Sequence, residues 1–166
     1  MISTAQFEQL LGLIPEYPGT NLYMVDGEGF EGIEHIVLKT KQIDARLDLL
    51  SLPAVMAKNT KYDDHTSVFV KEFTFEQERY NVHQRQYDFI FVAVDAGSLE
   101  DIEQSSKKFY RITKNAGYVF FFSKPEKTPY IKQVLEDNNF VAINTIDISQ
   151  DYDIISAKKM HGWEQV

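Results

Sequence analysis

The second half of the chain alternates short apolar runs with amphipathic segments. The apolar runs are Tyr87–Val94, Tyr118–Phe122 and Phe140–Ile146. Between them, Leu99–Ile112 and Pro129–Asn139 place apolar residues three and four positions apart, which is the spacing of one helix face. Near-continuous apolar strands separated by helices predict a mainly parallel sheet that is covered on both faces.

The last two predicted strands are joined by a much shorter connection. Only a short polar loop separates Phe140–Ile146 from Asp153–Lys159. A parallel pair would need a longer crossover, so these strands are predicted to be antiparallel neighbours. The whole pattern predicts an α/β fold, a three-layer α/β/α sandwich whose mostly parallel sheet ends in an antiparallel C-terminal edge hairpin.

The beginning of the chain predicts one helix and one strand. Apolar residues fall on one face of a helix over Ser3–Leu13, and Ser3 or Thr4 can cap its start. Asn21–Val25 is a short apolar run that is typical of a buried strand. It leads directly into a segment with three glycines.

The stretch from residue 33 to residue 86 is less regular. Ile33–Lys39 is compatible with a strand or a helix. Ile43–Leu52 has the apolar spacing of a helix, whereas Thr66–Phe73 alternates as a strand does. Phe75–Gln86 is polar and predicts a short helix or a surface excursion.

Length and composition narrow the class of protein. The chain has 166 residues, which favours a single domain over residues 1–166. It has no cysteine, which excludes disulfides and a cysteine nucleophile and fits a reducing cytoplasm. The N-terminus lacks a signal-peptide pattern, and no apolar run approaches the ~20 residues of a membrane helix. We therefore expect a cytoplasmic protein without a membrane partner.

The net charge argues against one class of partner. The chain carries 17 Lys and Arg against 25 Asp and Glu, a formal charge of −8. Nucleic-acid binding depends on neutralising phosphates with basic residues. The composition therefore disfavours a nucleic-acid partner.

Three stretches of the second half carry a resemblance to a known family. Tyr87–Asp95 is an apolar strand that begins Tyr-Asp and ends in an acidic residue. Ile112–Val119 forms a glycine-containing turn into a strand, and Leu135–Phe140 ends a helix with Asn139 before Phe140. These stretches resemble strands four to six, with their turns, of class I S-adenosylmethionine-dependent methyltransferases, a Rossmann-type superfamily.

The resemblance implies a sheet of six parallel strands and one antiparallel strand, S-adenosylmethionine as cofactor, and a small-molecule or protein substrate. It fits the first half of the chain less closely. Only 54 residues separate Gly32 from Tyr87, which is tight for three helices and two strands. We therefore expect a reduced N-terminal half, with one element lost or shortened, as in a degenerate member of the superfamily.

A glycine-rich segment follows the first predicted strand. Gly27, Gly29 and Gly32 form a G-x-G-x-x-G pattern directly after Asp26. Glycine lets the backbone approach a ligand, and the start of a following helix offers free N–H groups. In the resembling family this loop wraps the methionine part of the cofactor, which makes Asp26 and the three glycines candidate cofactor-binding residues.

The same segment has a second interpretation. It can be a plain turn that joins the first strand to an antiparallel partner at Ile33–Leu38. Glu28 and Glu31 place negative charge in the segment, which would repel a phosphate but is compatible with a sulfonium cation.

Asp95 is the tentative catalytic residue and a further cofactor-binding candidate. It follows a predicted central strand, and ligands of open α/β sheets bind at the carboxyl ends of such strands. The alternative is a carboxylate that caps a loop or helix. The family also uses an acidic residue at the end of strand two for the ribose hydroxyls, and Asp44, Asp48 and Glu72 are the available residues.

No other chemistry stands out. Tyr62–His65 contains two carboxylates and an imidazole. No further ligand from another element can be assigned to it, so no metal site is predicted. The sequence leaves two functions open. One is an S-adenosylmethionine-dependent methyltransferase, and the alternative is a non-catalytic binding or dimerisation module on the same fold. Trp163 is a candidate contact for a homodimer or for the edge of the sheet, and a disordered tail is the alternative.

Overall fold

The computed structural model describes residues 2–16, 18–147 and 150–160, and in these ranges it contains five α-helices and seven β-strands. The helices are α1 (Thr4–Leu11), α2 (Ile33–Gln42), α3 (Pro53–Asn59), α4 (Ile102–Ile112) and α5 (Thr128–Asp137). The strands are β1 (Asn21–Asp26), β2 (Arg46–Ser51), β3 (Val68–Glu72), β4 (Tyr87–Asp95), β5 (Thr113–Ser123), β6 (Val141–Ile146) and β7 (Asp153–Lys158). Trp163 lies outside the described residues.

The strands form one sheet in the order β3-β2-β1-β4-β5-β7-β6. The strands from β3 to β5 are parallel neighbours. β7 runs antiparallel to β5 on one side and to β6 on the other. The mostly parallel sheet with an antiparallel C-terminal hairpin is therefore confirmed.

Helices cover both faces of the sheet. One core cluster joins α1 and α2 to a sheet face that includes Met24 and Phe91, and the other joins α4 and α5 to the face that includes Ile90 and Phe121. This arrangement is the predicted α/β/α sandwich. It leaves the carboxyl ends of the parallel strands along one edge of the molecule.

One prediction for the first half is wrong. Residues 46–51, which were predicted as part of a helix over Ile43–Leu52, form the inner strand β2. Ile43, Leu47 and Leu50 are spaced as on one face of a helix, and a strand of six residues is too short to reveal a different period. The preceding helix, α2, ends at Gln42. Asp44, between α2 and β2, adopts a left-handed φ of 54°.

The ambiguous stretch after the glycines is helical. Residues 33–42 form α2, so the interpretation as a turn to an antiparallel strand is excluded. The expected reduction of the first half is present: residues 73–86 form no helix between β3 and β4. This irregular segment instead buries Tyr80 in the core cluster of α4 and α5, and the Tyr23 hydroxyl donates to the Tyr80 carbonyl at 2.8 Å.

Two local expectations are also confirmed. Ser3 caps α1 through a reciprocal capping box with Gln6. Asn139 has the left-handed φ of 73° that the end of α5 requires. None of the helices in the described part of the chain has the length and hydrophobicity that crossing a bilayer requires.

Candidate functional site

The glycine segment and Asp95 meet at the carboxyl edge of the sheet. β1 ends at Asp26 and pairs with β4, which ends at Asp95. The chain leaves β1 toward β2 and leaves β4 toward β5, so the connections diverge on opposite sides of this strand pair. Such a topological switch point is where open α/β sheets form their ligand crevice.

Asp26 holds the glycine segment from inside. Its side chain is 0% exposed, and Oδ1 accepts from the backbone N–H groups of Glu28 at 3.2 Å and of Gly29 and Phe30 at 3.0 Å. Oδ2 accepts from Nδ2 of Asn59 at 2.8 Å. The carboxylate therefore satisfies three backbone N–H groups of the glycine segment.

Asn59 is the site residue that the sequence did not reveal. It is 2% exposed at the end of α3, and its Nδ2 also donates to the Ser51 hydroxyl at 2.9 Å. It thereby links the ends of β1 and β2. The sequence signal that could have located it is Pro53. Proline is favourable at the first position of a helix, and a helix that begins there reaches Asn59 within two turns.

Gly27 is needed because other side chains come very close to it. A Cβ atom on Gly27 would lie 2.3 Å from Cγ1 of Val94 and 2.9 Å from Cδ1 of Leu52. Neither contact is possible for a real Cβ atom, so a side chain at position 27 would displace Val94 or Leu52. These two side chains therefore pack directly against the backbone of Gly27 at the switch point.

The other two glycines have different neighbours. Gly29 has a φ of +72°, and its carbonyl accepts from Nζ of Lys58 at 3.0 Å. Gly32 precedes α2, and a Cβ there would lie 2.6 Å from the ring of Phe30 and 2.8 Å from the ring of Phe7. Gly29 therefore lies in the loop itself, whereas Gly32 permits close packing in the core.

Asp95 caps the turn that follows β4. Its Oδ1 accepts from the N–H of Gly97 at 3.0 Å and from the N–H of Lys124 at 3.5 Å. Its Oδ2 accepts no hydrogen bond within the described part of the chain. Asp95 is half-buried, so it combines the predicted capping role with a carboxylate oxygen that a ligand can use.

No carboxylate ends β2, where the resembling family binds ribose. That end is the buried Ser51, followed by Leu52. Asp44 precedes the strand, and Asp48 lies inside it at 3% exposure. Glu72 ends the neighbouring edge strand β3 and is exposed.

The loop with two carboxylates binds its own backbone. Asp63 accepts from the N–H groups of His65 and Val70, and Asp64 accepts from the Ser67 hydroxyl at 2.7 Å. The Val70 hydrogen bond lowers the pKa of Asp63, and the Ser67 hydroxyl lowers that of Asp64. Among the described residues, no three His, Asp or Glu side chains are grouped as metal ligands would be.

Solved structures share this architecture. A Listeria monocytogenes protein with a provisional designation as an S-adenosylmethionine-dependent methyltransferase superposes with a TM-score of 0.73 at 16% identity, over 96% of this chain and 100% of that chain. An S-adenosylmethionine-dependent methyltransferase from Mesorhizobium loti gives 0.71 at 12% identity, over 93% and 98%. Haemonchus contortus phosphoethanolamine N-methyltransferase 2, solved with S-adenosylmethionine, gives 0.71 at 12% identity, over 95% and 52%.

These likenesses establish the fold. The chain has the Rossmann-type α/β fold of class I methyltransferases, in agreement with the resemblance of its second half. No protein-family model and no curated protein sequence matches the chain.

The residues at the switch point fit one part of S-adenosylmethionine. The ammonium and sulfonium groups are cations, and the exposed Glu28 and half-buried Asp95 offer carboxylates to them. The ribose hydroxyls have no carboxylate at the end of β2, because Ser51 and Leu52 stand there. The adenosyl part would therefore need contacts different from those of the resembling family.

Proposed function

We propose that the chain binds S-adenosylmethionine at the carboxyl edge between β1 and β4 and acts as a methyltransferase on a small-molecule or protein substrate. One observation carries the proposal: a glycine loop and a partly available carboxylate, Asp95, meet at the switch point of a sheet with methyltransferase strand order.

The residues at the carboxyl edge of the sheet have different roles in the proposed binding. Asp26 fixes the loop, and the absence of a side chain at Gly27 and Gly29 lets Val94, Leu52 and Lys58 pack close to its backbone. Oδ2 of Asp95 is the candidate partner for a cationic group or for a proton from the substrate. Bound S-adenosylmethionine supplies an electrophilic methyl group, and holding the two reactants together can supply several kcal/mol.

Two side chains restrict the space beside Gly27. Val94 and Leu52 occupy the position that a Cβ atom on Gly27 would take, so we expect a ligand that contacts this glycine from that side to move one of them. Leu52 is half-buried, and a rotamer change of a partly exposed side chain costs little. We expect Leu52→Ala to leave binding intact or to strengthen it.

A non-catalytic binding or dimerisation module is the second candidate. The missing carboxylate at the end of β2 and the close packing of Val94 and Leu52 at Gly27 favour it. The same fold hosts both functions, so the site and not the fold must decide between them.

The cellular setting belongs to the same proposal. The cysteine-free composition is compatible with the reducing cytoplasm, where we place the protein. The charge of −8 disfavours a nucleic-acid substrate.

Thermal unfolding with S-adenosylmethionine or its demethylated product tests the proposal. Ligand at ~100 times its dissociation constant adds ~2.7 kcal/mol of stability. For a chain of this size the unfolding midpoint rises by ~2–4 °C per kcal/mol, so we expect an increase of several degrees. Asp95→Ala should reduce the increase, and Gly29→Val should abolish it.

Gly19 provides a matched control for the glycine variant. Its φ of +84° strains a valine as Gly29 does, but no heavy atom lies within 4 Å of a Cβ built there. Gly19→Val should lower the midpoint while the ligand-induced increase persists. If neither ligand shifts the wild-type midpoint at millimolar concentration, the methyltransferase proposal fails. Sedimentation then tests the second candidate, because a monomer at every concentration contradicts dimerisation.

A further inference from the structure

A second cavity lies at the opposite edge of the sheet. It has a volume of about 400 Å³ and is bounded by the amino ends of β1, β2 and β4 and by the irregular segment 73–86. β1 has six residues, so this edge lies roughly 17 Å from the glycine loop at ~3.3 Å per strand residue. The cavity is therefore separate from the proposed methyltransferase site.

A buried carboxylate organises the wall of this cavity. Asp48 is 3% exposed, and its Oδ2 accepts a short hydrogen bond from the Tyr87 hydroxyl. Its Oδ1 lies 3.3 Å from Nη2 of Arg46 and 3.5 Å from Nζ of Lys71. Burial, followed by the hydrogen bond to Asp48, raises the pKa of Tyr87 well above its ordinary value. Tyr87 therefore remains a neutral donor.

The cluster carries one excess positive charge. Arg46 and Lys71 share a single carboxylate, and both side chains are 48% exposed. A guanidinium has five N–H donors and an ammonium has three. Among the residues that the structure describes, however, the Arg46 side chain makes one hydrogen bond, to Asp48, and Lys71 has only its 3.5 Å ion pair, so most of the donors of these cations are unused. Asp88 adds no net charge to this edge, because it pairs with Lys114 at 3.2 Å.

Arg46 is held in place before any ligand arrives. Its guanidinium carbon lies 4.1 Å from the centre of the Phe69 ring, and Phe69 is the β3 partner of Asp48. A cation stacked on an aromatic face and paired with a buried carboxylate has little rotamer freedom left to lose. Its remaining N–H groups are therefore available at low entropic cost.

The opposite wall is also anchored, although it lacks regular structure. Arg111 of α4 donates to the carbonyls of Asn81 at 2.8 Å and Val82 at 3.0 Å. Nδ2 of Asn21 donates to the carbonyl of Gln86 at 3.1 Å. These bonds fix the irregular segment against β1 and α4, so the cavity is built into the fold.

We propose that this cavity binds a small organic anion whose carboxylate or phosphate group lies between Arg46 and Lys71. The volume falls within the ~300–1,000 Å³ of small-molecule sites. An anion there neutralises the excess charge that the cluster carries within an otherwise acidic chain. The exposed Val82 supplies apolar surface beside it.

Titration of isotope-labelled protein with inorganic phosphate and with acetate, followed by NMR at constant ionic strength, tests the site. We expect saturable shifts at Arg46, Lys71 and the side-chain amide of Asn81 in the millimolar range. Tighter binding of phosphate assigns a phosphate ester as the ligand class, whereas tighter binding of acetate assigns a carboxylate. Absence of saturable shifts at these residues with both probes overturns the proposal.

Charge variants distinguish a binding site from a structural cluster. Asp48→Asn keeps an acceptor for Tyr87 and removes the competing charge, so anion affinity should rise roughly three- to tenfold. Arg46→Gln and Lys71→Gln should each lower it by a similar factor, whereas Lys71→Arg should preserve it. Lys61→Gln, at an exposed position outside the cavity lining, is the control and should change nothing. Equal affinity in wild type and Asp48→Asn contradicts the proposal.

The Gly29→Val variant tests whether the anion site is separate from the proposed cofactor site. Gly29→Val alters only the carboxyl edge, so its anion affinity should equal that of the wild type. Each affinity is measured well below the unfolding midpoint of that variant, so that differences in stability between Asp48→Asn and Lys71→Gln do not affect the comparison. Loss of anion binding in Gly29→Val would count against a separate site.

Discussion

Replacing Asp26 by alanine should lower the free energy of unfolding by about 3–5 kcal/mol. The change removes the acceptor for the N–H groups of Glu28, Gly29 and Phe30 and for the amide of Asn59. A buried donor left without a partner costs about 1–3 kcal/mol, and several are lost together. Chemical denaturation monitored by circular dichroism measures the loss.

Asp95→Ala is the matched control for this variant. Both aspartates end central strands, but Asp95 is only half-buried and accepts two backbone N–H groups through Oδ1. Loss of such a cap costs about 1 kcal/mol. If the two variants are equally stable, Asp26 does not hold the loop as the structure shows.

Replacing Leu135 by alanine should cost about 2–5 kcal/mol. Leu135 is 0% exposed on α5 and belongs to the core cluster beneath α4 and α5. The truncation removes buried apolar surface and leaves a cavity that the surrounding helices fill only in part. Ile102→Ala on α4 should behave similarly, and urea denaturation measures both.

An exposed leucine calibrates this measurement. Leu38 on α2 is 55% exposed, and Leu38→Ala should change stability by less than about 0.5 kcal/mol. Losses below about 1 kcal/mol at both Leu135 and Ile102 would contradict the assignment of this core.

The second half of the fold could be predicted because its strands and helices are long enough to show different hydrophobic patterns. β4 and β5 are nine and eleven residues long and largely buried, while α4 and α5 each present one apolar face to them. Local composition also agrees with the fold at the helix ends, as Asn139 shows. Consistent local signals of this kind specify topology well.

β2 could not be predicted because six residues are too few to separate the two periods. Its sequence, RLDLLS, places Leu47 and Leu49 on one face of the sheet and Leu50 on the other, and Leu47 and Leu50 are also spaced as on one face of a helix. The helix before β2 ends shortly before Asp44, which adopts a left-handed φ. Aspartate tolerates this conformation, but its presence in a sequence does not predict it.

The candidate site was predictable in its residue types and not in its contacts. The sequence points to Asp26 and the glycines, but the inward direction of the Asp26 carboxylate depends on Asn59, which is 33 positions away. The charged cluster at the opposite edge likewise joins residues of three strands: Arg46 and Asp48 in β2, Lys71 in β3 and Tyr87 in β4. Pairings across such distances follow from topology, which local patterns do not encode.

The proposed methyltransferase function and its alternative differ at one place in the molecule. In the first, Val94 or Leu52 moves aside and the ligand contacts the loop at Gly27. In the second, the same side chains permanently fill a site inherited with the fold. The loop glycines report on this difference, because Gly27 adjoins Val94 and Leu52 and Gly29 lies in the same loop.

NMR titration of isotope-labelled protein with S-adenosylmethionine is therefore the most direct test. The proposal predicts saturable shifts of the amide signals of Gly27, Gly29 and Gly97, with the signal of Gly19 unchanged as an internal reference. Unchanged loop signals at millimolar ligand, or shifts confined to the cavity around Arg46, would contradict a cofactor site at the carboxyl edge.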